Sequence, residues 1–297
     1  MSIRIAIIAD IHGNVPALEA VLADIAEQRV DEVVVGGDLV GRGPQGSRVV
    51  QRIRELDLAA IGGNHEDYLL GIRSGDGPPG WDVEEQWAAS RWMSAELTDD
   101  DVEYLEALPF SLARPGLRLV HGTPQTNRAG VGPWTGDDEL AGHWGEVDES
   151  LLVCAHTHRP MIRQVPGGQV VNVGSVGLPF NRDQRAQYAI FSRDTGDAAE
   201  ADASDWQVEL RQVPYDLEAI YAIYESTGFL TEGGITAQLL RLELEYATSV
   251  LVPFLEWAKF VGVEASAEQL GAFFEIFDPN ESLRAFYERV QALRSGD

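Results

Sequence analysis

From Ile3 to Ala9 every position but Arg4 is apolar, and the run stops at Asp10. Such a run reads as a buried strand. Ala17 to Gln28 follows with helical spacing of Leu18, Val21, Leu22 and Ile25, and Pro16 sits where a first helical turn tolerates proline. Glu32 to Val35 predicts a second strand, Gly46 to Leu56 a helix, and Leu58 to Ile61 a third strand. This β-α-β-α-β alternation implies parallel pairing. From about Glu66 to Leu108 the pattern is mainly helical, interrupted by SGDGPPG at residues 74 to 80. Trp87, Ala88, Arg91 and Trp92 share a helix face, with the tryptophans read as core packing, and Thr98 followed by Asp101 reads as an N-terminal cap.

Short β runs return at Phe110 to Ala113, Leu117 to Val120, Leu151 to Cys154, Gln169 to Val173, Tyr188 to Phe191 and Trp206 to Val213. They predict a second sheet layer. After Tyr215 the pattern is helical again, over Leu217 to Gly228, Thr236 to Val252, Ala267 to Phe277 and Glu281 to Arg294. Leu240, Leu244, Ala247 and Leu251 form one apolar face, and Pro253 either kinks that helix or begins another. The chain therefore divides into an α/β domain over residues 1–215 and a helical extension over 216–297. The extension is packed on the domain, acts as a lid, or makes a homodimer contact. Its aromatics, including Tyr221, Tyr224, Phe254, Trp257, Phe260, Phe273 and Phe274, read mostly as packing.

Composition narrows the partners. With 48 acidic against 22 basic residues the formal charge is −26, and Lys259 is the only lysine. Long nucleic acids and anionic membranes are repelled by such a chain, while a small phosphate ester can still be drawn in by local arginines. No apolar run is long enough to span a bilayer. A single cysteine, Cys154, excludes an internal disulfide and a cysteine-rich zinc site. These features, with no secretory signal pattern at the start, place the expected location in the cytoplasm.

The candidate chemistry sits where strands end. Asp10 and His12 follow the first strand, Asp38 the second, Asn64 and His65 the third; His121, and then His156 and His158, follow later β runs. Open α/β sheets gather ligands at the carboxyl ends of strands, so these loops are expected along one edge. Of the six histidines only His143 lies outside these motifs, and it reads as an ordinary hydrogen-bonded residue. Buried polar groups need partners. A nitrogen and oxygen donor set without thiolate suits iron, manganese, zinc, cobalt or nickel in an open geometry. Asp10 and His12 are expected to alternate in an extended segment with Ile11 pointing away, and His156 and His158 likewise across Thr157. So many donors exceed the needs of one ion, and two ions sharing a carboxylate would use them, with Asp38 on the middle strand as the natural bridge.

In this order the motifs DIHGN, GGDLVGRG, GGNHE, VHGTP and AHTHRP resemble the calcineurin-like metallophosphoesterase superfamily over roughly residues 3 to 215. VNVGSVGLP and QRAQYAIF look like its bacterial branch of small phosphodiesterases and diadenosine tetraphosphatase-like proteins. The resemblance implies a two-sheet α/β sandwich flanked by helices, with a dimetal site at its edge. It implies that Asp10, His12 and His158 hold one metal, that Asn64, His121 and His156 hold the other, and that Asp38 bridges them, the ions being divalent or trivalent with manganese and iron foremost. A bridging hydroxide would attack phosphorus while His65 contacts phosphate and protonates the leaving oxygen. Arg42 falls where the protein phosphatase branch has V-D-R-G, but Gly41 replaces the acidic residue. Arg42 is either a phosphate clamp or a solvated loop arginine. Ala155 replaces the usual family glycine, which puts the local backbone geometry in question. The expected activity is hydrolysis of a small phosphodiester or nucleotide, with phosphomonoesterase activity, including protein phosphatase activity, as the alternative. A non-catalytic scaffold, like the retromer subunit of the superfamily, is disfavoured because His65 is retained.

Overall fold

A computed structural model describes residues 2–194 and 206–295. Strand β1 (Ser2–Ile8) runs parallel to β2 (Glu32–Val35), and β2 to the short β3 (Ala59–Ala60). Helices α1 (Val15–Glu27) and α2 (Gly46–Glu55) make the crossovers. The absence of alternation in β1 follows from burial of both faces. Ile5 and Ile7 pack with Leu119, Leu151, Val153 and Val171 of a second sheet, while Ala6 and Ile8 pack with Leu18, Val21, Val49 and Ile53 of the two helices. The side chain of Asn14 caps α1 by accepting from the Ala17 amide at 3.1 Å.

Helices α3 (Asn64–Ser74), α4 (Ala88–Ala95) and α5 (Asp99–Glu106) follow. Thr98 and Asp101 cap α5 reciprocally, each side chain accepting from the other's amide, at 3.1 and 3.0 Å. Trp92 packs on Phe229, whereas Trp87 lines an open cleft and leans on Trp81 with ring centroids 4.5 Å apart. The second sheet has the order β4 (Ser111–Arg114), β5 (Leu117–Val120), β6 (Leu151–Cys154), β8 (Gly168–Asn172), β7 (Met161–Val165), with β5, β6 and β8 parallel and the two edges antiparallel. Helix α6 (Asp137–Trp144) covers its outer face through Leu140.

Two of the β runs expected in this second layer belong elsewhere. Strands β9 (Ala186–Asp194) and β10 (Gln207–Val213) complete the first sheet, in the order β10-β9-β1-β2-β3. The segment after β8 crosses the tip of β1, with the Val176 and Gly177 amides donating to the carbonyls of Ala9 and Asp10, and the chain then pairs antiparallel with the open edge of β1.

Among the described residues the remaining α-helices are α7 (Leu217–Ser226), α8 (Phe229–Glu232), α9 (Gly234–Tyr246), α10 (Leu251–Val261), α11 (Leu270–Phe274) and α12 (Leu283–Ser295). The single helix expected over Thr236 to Val252 breaks at Ala247, whose φ of 47° is left-handed, and Pro253 lies in the first turn of α10. Helix α9 serves two cores. Ala237, Leu240 and Leu244 join the core beneath the first sheet, while Ile235 and Leu239 join Phe254, Trp257, Phe273 and Phe286 in a separate aromatic cluster. Among the described residues no helix is long and apolar enough to cross a membrane.

Candidate metal centre

The loops after β1, β2, β3, β5 and β6 meet at one edge of the layered sheets. Asp10, His12, Asp38, Asn64, His121 and His158 are each no more than 4% exposed there, and His156 is partly buried beside them. The Nε2 atoms of His12, His121 and His158 lie 4.0, 4.0 and 3.7 Å from Oδ1 of Asp10. Oδ2 of Asp38 lies 3.6 Å from His12 Nε2 and 3.3 Å from His121 Nε2. Oδ1 of Asn64 is 3.1 Å from His121 Nε2 and 2.7 Å from His156 Nδ1. The donors fall into two overlapping groups, Asp10, His12, Asp38 and His158, and Asp38, His121 and His156, with Asp38 common to both.

Three of the imidazoles are oriented from behind. Nδ1 of His12 faces the Val40 carbonyl at 3.1 Å, that of His121 the Gly36 carbonyl at 2.9 Å, and that of His158 the Leu178 carbonyl at 2.5 Å. A proton on each Nδ1 satisfies those carbonyls and leaves the Nε2 lone pair directed at the centre, the arrangement by which proteins prepare histidine for a metal. Two Nε2 atoms, of His12 and His158, then oppose each other at 3.1 Å. Oδ1 of Asp10 is buried with no hydrogen-bond partner among the described residues. Converging lone pairs around an orphaned carboxylate oxygen are what a cation satisfies, so the residues fit the group that the motifs imply.

Without a cation the buried cluster keeps protons of its own. Burial, reinforced by the Asp38 charge, pushes Asp10 well above the ordinary carboxylate range. Burial also works to raise Asp38, but the imidazoles of His121, His65 and His12 together hold it well below that range. Burial lowers His12 and His156 to about 4 and His158 well below its usual value, so these rings are neutral. Burial works to lower His121 as well, but Asp38 and Asp10 outweigh it and raise the ring to about 10, so without a cation its Nε2 carries a proton facing the carboxylates, and a metal would take that proton's place.

The segments that carry the donors are not extended. Asp10, His12, Asp38, His156 and His158 have φ of 52°, 49°, 53°, 64° and 56°. The expected strand-like alternation of Asp10 with His12, and of His156 with His158, is replaced by left-handed turns that swing neighbouring side chains toward one point. Ala155 fits without strain, its amide donating to the His121 carbonyl at 2.9 Å. His143 lies on α6, within 3.1 Å of the Gln125 amide oxygen.

His65 and Arg42 stand at the mouth. His65 Nε2 accepts from Arg42 Nε at 3.2 Å, while its Nδ1 packs without a partner among the described residues. Gly41 makes this approach feasible, since with φ of 79° a Cβ there would lie 2.4 Å from that Nδ1. Arg42 is not a solvated loop residue. Its side chain is 15% exposed, its Nη1 donates to Oε2 of Glu243 on α9 at 2.6 Å, and Tyr224 of α7 donates to its carbonyl.

Sequence reasoning missed two carboxylates. Glu66 accepts from the amides of Gly63 at 2.6 Å, Asp38 at 2.9 Å, Leu39 at 2.8 Å and Val40 at 3.2 Å, tying the loops after β2 and β3 together. Burial first and the Asp38 charge second raise it to about 7. Its signal was present as the third residue of α3 behind the glycine at its N-cap. Glu243 is fully buried. Its signal was a charge inside the stripe of Leu239, Leu240 and Leu244.

A sequence model of the calcineurin-like phosphoesterase superfamily domain matches residues 3–196. An uncharacterized protein of Methanocaldococcus jannaschii is 26% identical over 73% of this chain and 90% of its own length. A symmetrical bis(5'-nucleosyl)-tetraphosphatase of Psychromonas ingrahamii is 28% identical over 49% of this chain, which spans 50% of that enzyme's length. A solved metallophosphoesterase from Sphaerobacter thermophilus superposes with a TM-score of 0.67 at 27% identity, covering 83% of this chain and all of that one.

Proposed function

Because the chain belongs to the calcineurin-like phosphoesterase superfamily and is a phosphoester hydrolase, we propose that it cleaves a small phosphodiester or nucleotide with a pair of transition-metal ions. The observation that carries this reading is the double donor group sharing Asp38 around the orphaned Asp10 Oδ1. Asp10, His12 and His158 would hold one ion, Asn64, His121 and His156 the other, and Asp38 both. When bound, such ions supply Lewis acidity toward phosphoryl oxygens and an acidified water as nucleophile.

The protein's own groups do the rest. His65 and Arg42 line the same cavity as Asn64 and His156, of about 630 Å³, which suits a compact ester. With Nη1 held by Glu243 and Nε by His65, Arg42 presents Nη2 to a phosphoryl oxygen. The bond from Arg42 places the His65 proton on Nδ1, so donation to a leaving oxygen from Nε2 requires that bond to be released and a proton to be taken up at Nε2 first. Trp87, Leu240 and Leu251 give the cavity an apolar side for the carrier of the phosphate. The tetraphosphatase relatives and the acidic chain both favour a small nucleotide over a long polyanion.

The test compares bis(p-nitrophenyl) phosphate with p-nitrophenyl phosphate, using protein whose metal content is known from elemental analysis. Faster diester turnover, lost on chelation and restored by manganese, is expected. Preference for the monoester would replace this reading with a phosphomonoesterase, and inactivity on both with metal bound would remove it.

A further inference from the structure

Three arginines line the cavity beside the centre, and their charges are not equally compensated. Arg42 is paired with Glu243, and Arg128 has Asp67 at 3.8 Å. Arg159 is partly buried, and among the described residues no carboxylate pairs with it. Its Nε donates to the Phe180 carbonyl at 2.8 Å, and its guanidinium lies 5.1 Å from the centre of the Trp134 ring. In a chain with 48 acidic residues, an arginine left without one is a chemical choice to be explained. Withdrawing a guanidinium from water is costly, and stacking on an indole returns only part of that cost.

Arg159 stands where two cavities meet. The larger reaches Asn64, His65 and His156; the smaller, of about 320 Å³, is lined by Arg182, Thr248 and Ser282 as well as Arg159. Phe180 and Leu283 border both. Glu281, the acid on the smaller cavity, is already bound to Arg289. Two guanidinium groups and two hydroxyls therefore face a space whose only carboxylate among the described residues is engaged elsewhere. Phe180 separates the two ends, with Arg42 5.6 Å from its ring centre on one side and Arg159 on its carbonyl.

We propose that Arg159 and Arg182 form a second oxyanion site at the far end of the cleft, which holds another phosphoryl group of the same substrate. The proposal rests on the phosphoesterase reading for its kinetics but not for its binding. A planar guanidinium fork grips two oxygens of a phosphoryl group, as a lysine would not. The favoured substrate is thus a bisphosphorylated ester, with one phosphoryl group at the metal centre and one beyond Phe180.

Two measurements test this. Calorimetric titration of chelator-treated protein with inorganic phosphate should show binding that weakens at least tenfold in Arg159→Gln, weakens less in Arg159→Lys, and stays within twofold in Arg128→Gln. In metal-loaded protein, Arg159→Gln should raise KM at least tenfold for the 5'-p-nitrophenyl ester of thymidine 3',5'-bisphosphate. It should leave kcat/KM for bis(p-nitrophenyl) phosphate within twofold. Arg182→Gln, at an exposed residue whose Nη2 otherwise donates to the Glu281 carbonyl, should move the first KM in the same direction. Equal losses on both esters, or phosphate binding indifferent to Arg159 and Arg182, would overturn the site. Phosphate binding that needs Arg159 with an unchanged KM for the bisphosphate would mean a free anion is held there and would overturn the substrate assignment. Failure to hydrolyse either ester would count against the phosphoesterase reading and leave the titration to decide the site.

Discussion

Glu243 joins the helical extension to the reaction centre, and its removal should be felt in both stability and turnover. One oxygen, Oε2, takes the Arg42 guanidinium at 2.6 Å. The other, Oε1, accepts from the Val250 amide at 2.9 Å, the Leu251 amide at 3.0 Å and the Ser249 hydroxyl at 3.3 Å, so that it also starts α10. The carboxylate is fully buried and Arg42 nearly so. Breaking such a pair by deleting one partner leaves an uncompensated charge, which costs about 3–5 kcal/mol. Glu243→Ala should therefore lose about 4 kcal/mol. Glu243→Gln keeps an oxygen for the α10 amides but leaves the same guanidinium uncompensated, with an NH₂ group set against it, and should lose about 3 kcal/mol.

Stability is read from urea unfolding of chelator-treated protein, and activity from kcat/KM of the metal-loaded form. The decisive arm is a double-mutant cycle with Arg42→Met. If Glu243 acts through Arg42, the double variant should recover about 1.5 kcal/mol or more relative to the sum of the singles. Its kcat/KM should match that of Arg42→Met alone. Additivity within about 0.5 kcal/mol, together with a further fall in kcat/KM when Glu243→Gln is added to Arg42→Met, would show that Glu243 merely holds the helices and would refute the link.

Three further outcomes are expected. Glu66→Gln leaves one acceptor where four backbone amides now converge, so unfolding in urea should show a loss of about 2–4 kcal/mol, with metal content falling as the loops after β2 and β3 part. Asp38→Asn withdraws the charge common to both donor groups, and should cut kcat by about two orders of magnitude and reduce bound metal by elemental analysis, with an unchanged circular dichroism spectrum. Asp24 is held below the ordinary carboxyl range chiefly by its hydrogen bond from Arg211, tying α1 to β10. A depressed carboxylate contributes above its unfolded value and loses that contribution as pH falls through its folded value. Asp24→Asn should thus cost no more than about 1 kcal/mol at pH 7, given solvent screening, and the difference from the parent should shrink as unfolding is repeated below pH 4.

The pattern of the first third was readable because both faces of β1 and β2 are covered, so burial wrote an uninterrupted apolar run. It was not readable where pairing is decided at long range. Tyr188 to Phe191 looks the same whether it extends the second sheet or closes on the free edge of β1; only the crossing at Val176 and Gly177 decides. Strand β7 escaped notice because an edge strand leaves Ile162 41% exposed and alternates too briefly. Helix α6 escaped because Leu140 is its only buried residue. At the site, side chains that follow strands were visible as polar stops, whereas Glu66 and Glu243 act on backbone amides and a guanidinium contributed from elsewhere in the chain. A carboxylate within an apolar face is a weak sign until its partner is located. Arg159 was visible only as part of AHTHRP, and its missing counter-charge is a property of the folded surroundings.

The left-handed residues explain why the donors meet at all. In an extended strand, side chains two residues apart share a face but stand about 6–7 Å from each other, too far to meet on one small ion. With φ near 50°, Asp10 and His12 turn inward, and His12 Nε2 reaches 3.1 Å from that of His158 on the other sheet. Each such conformation costs a non-glycine residue about 1–2 kcal/mol. The tips are braced against relaxing: the Asp10 amide donates to Gly37, the His12 amide to Asp38 and the His156 amide to the Asp10 carboxylate. Among the described residues, six of the ten non-glycine positions with positive φ are Asp10, His12, Asp38, Arg42, His156 and His158. Strain spread by chance would not gather at one edge; it gathers where the surrounding fold forces side chains into a shared task. The same bracing keeps mutually repelling lone pairs together, so the fold itself pre-forms the site and a cation entering it has little reorganisation left to drive.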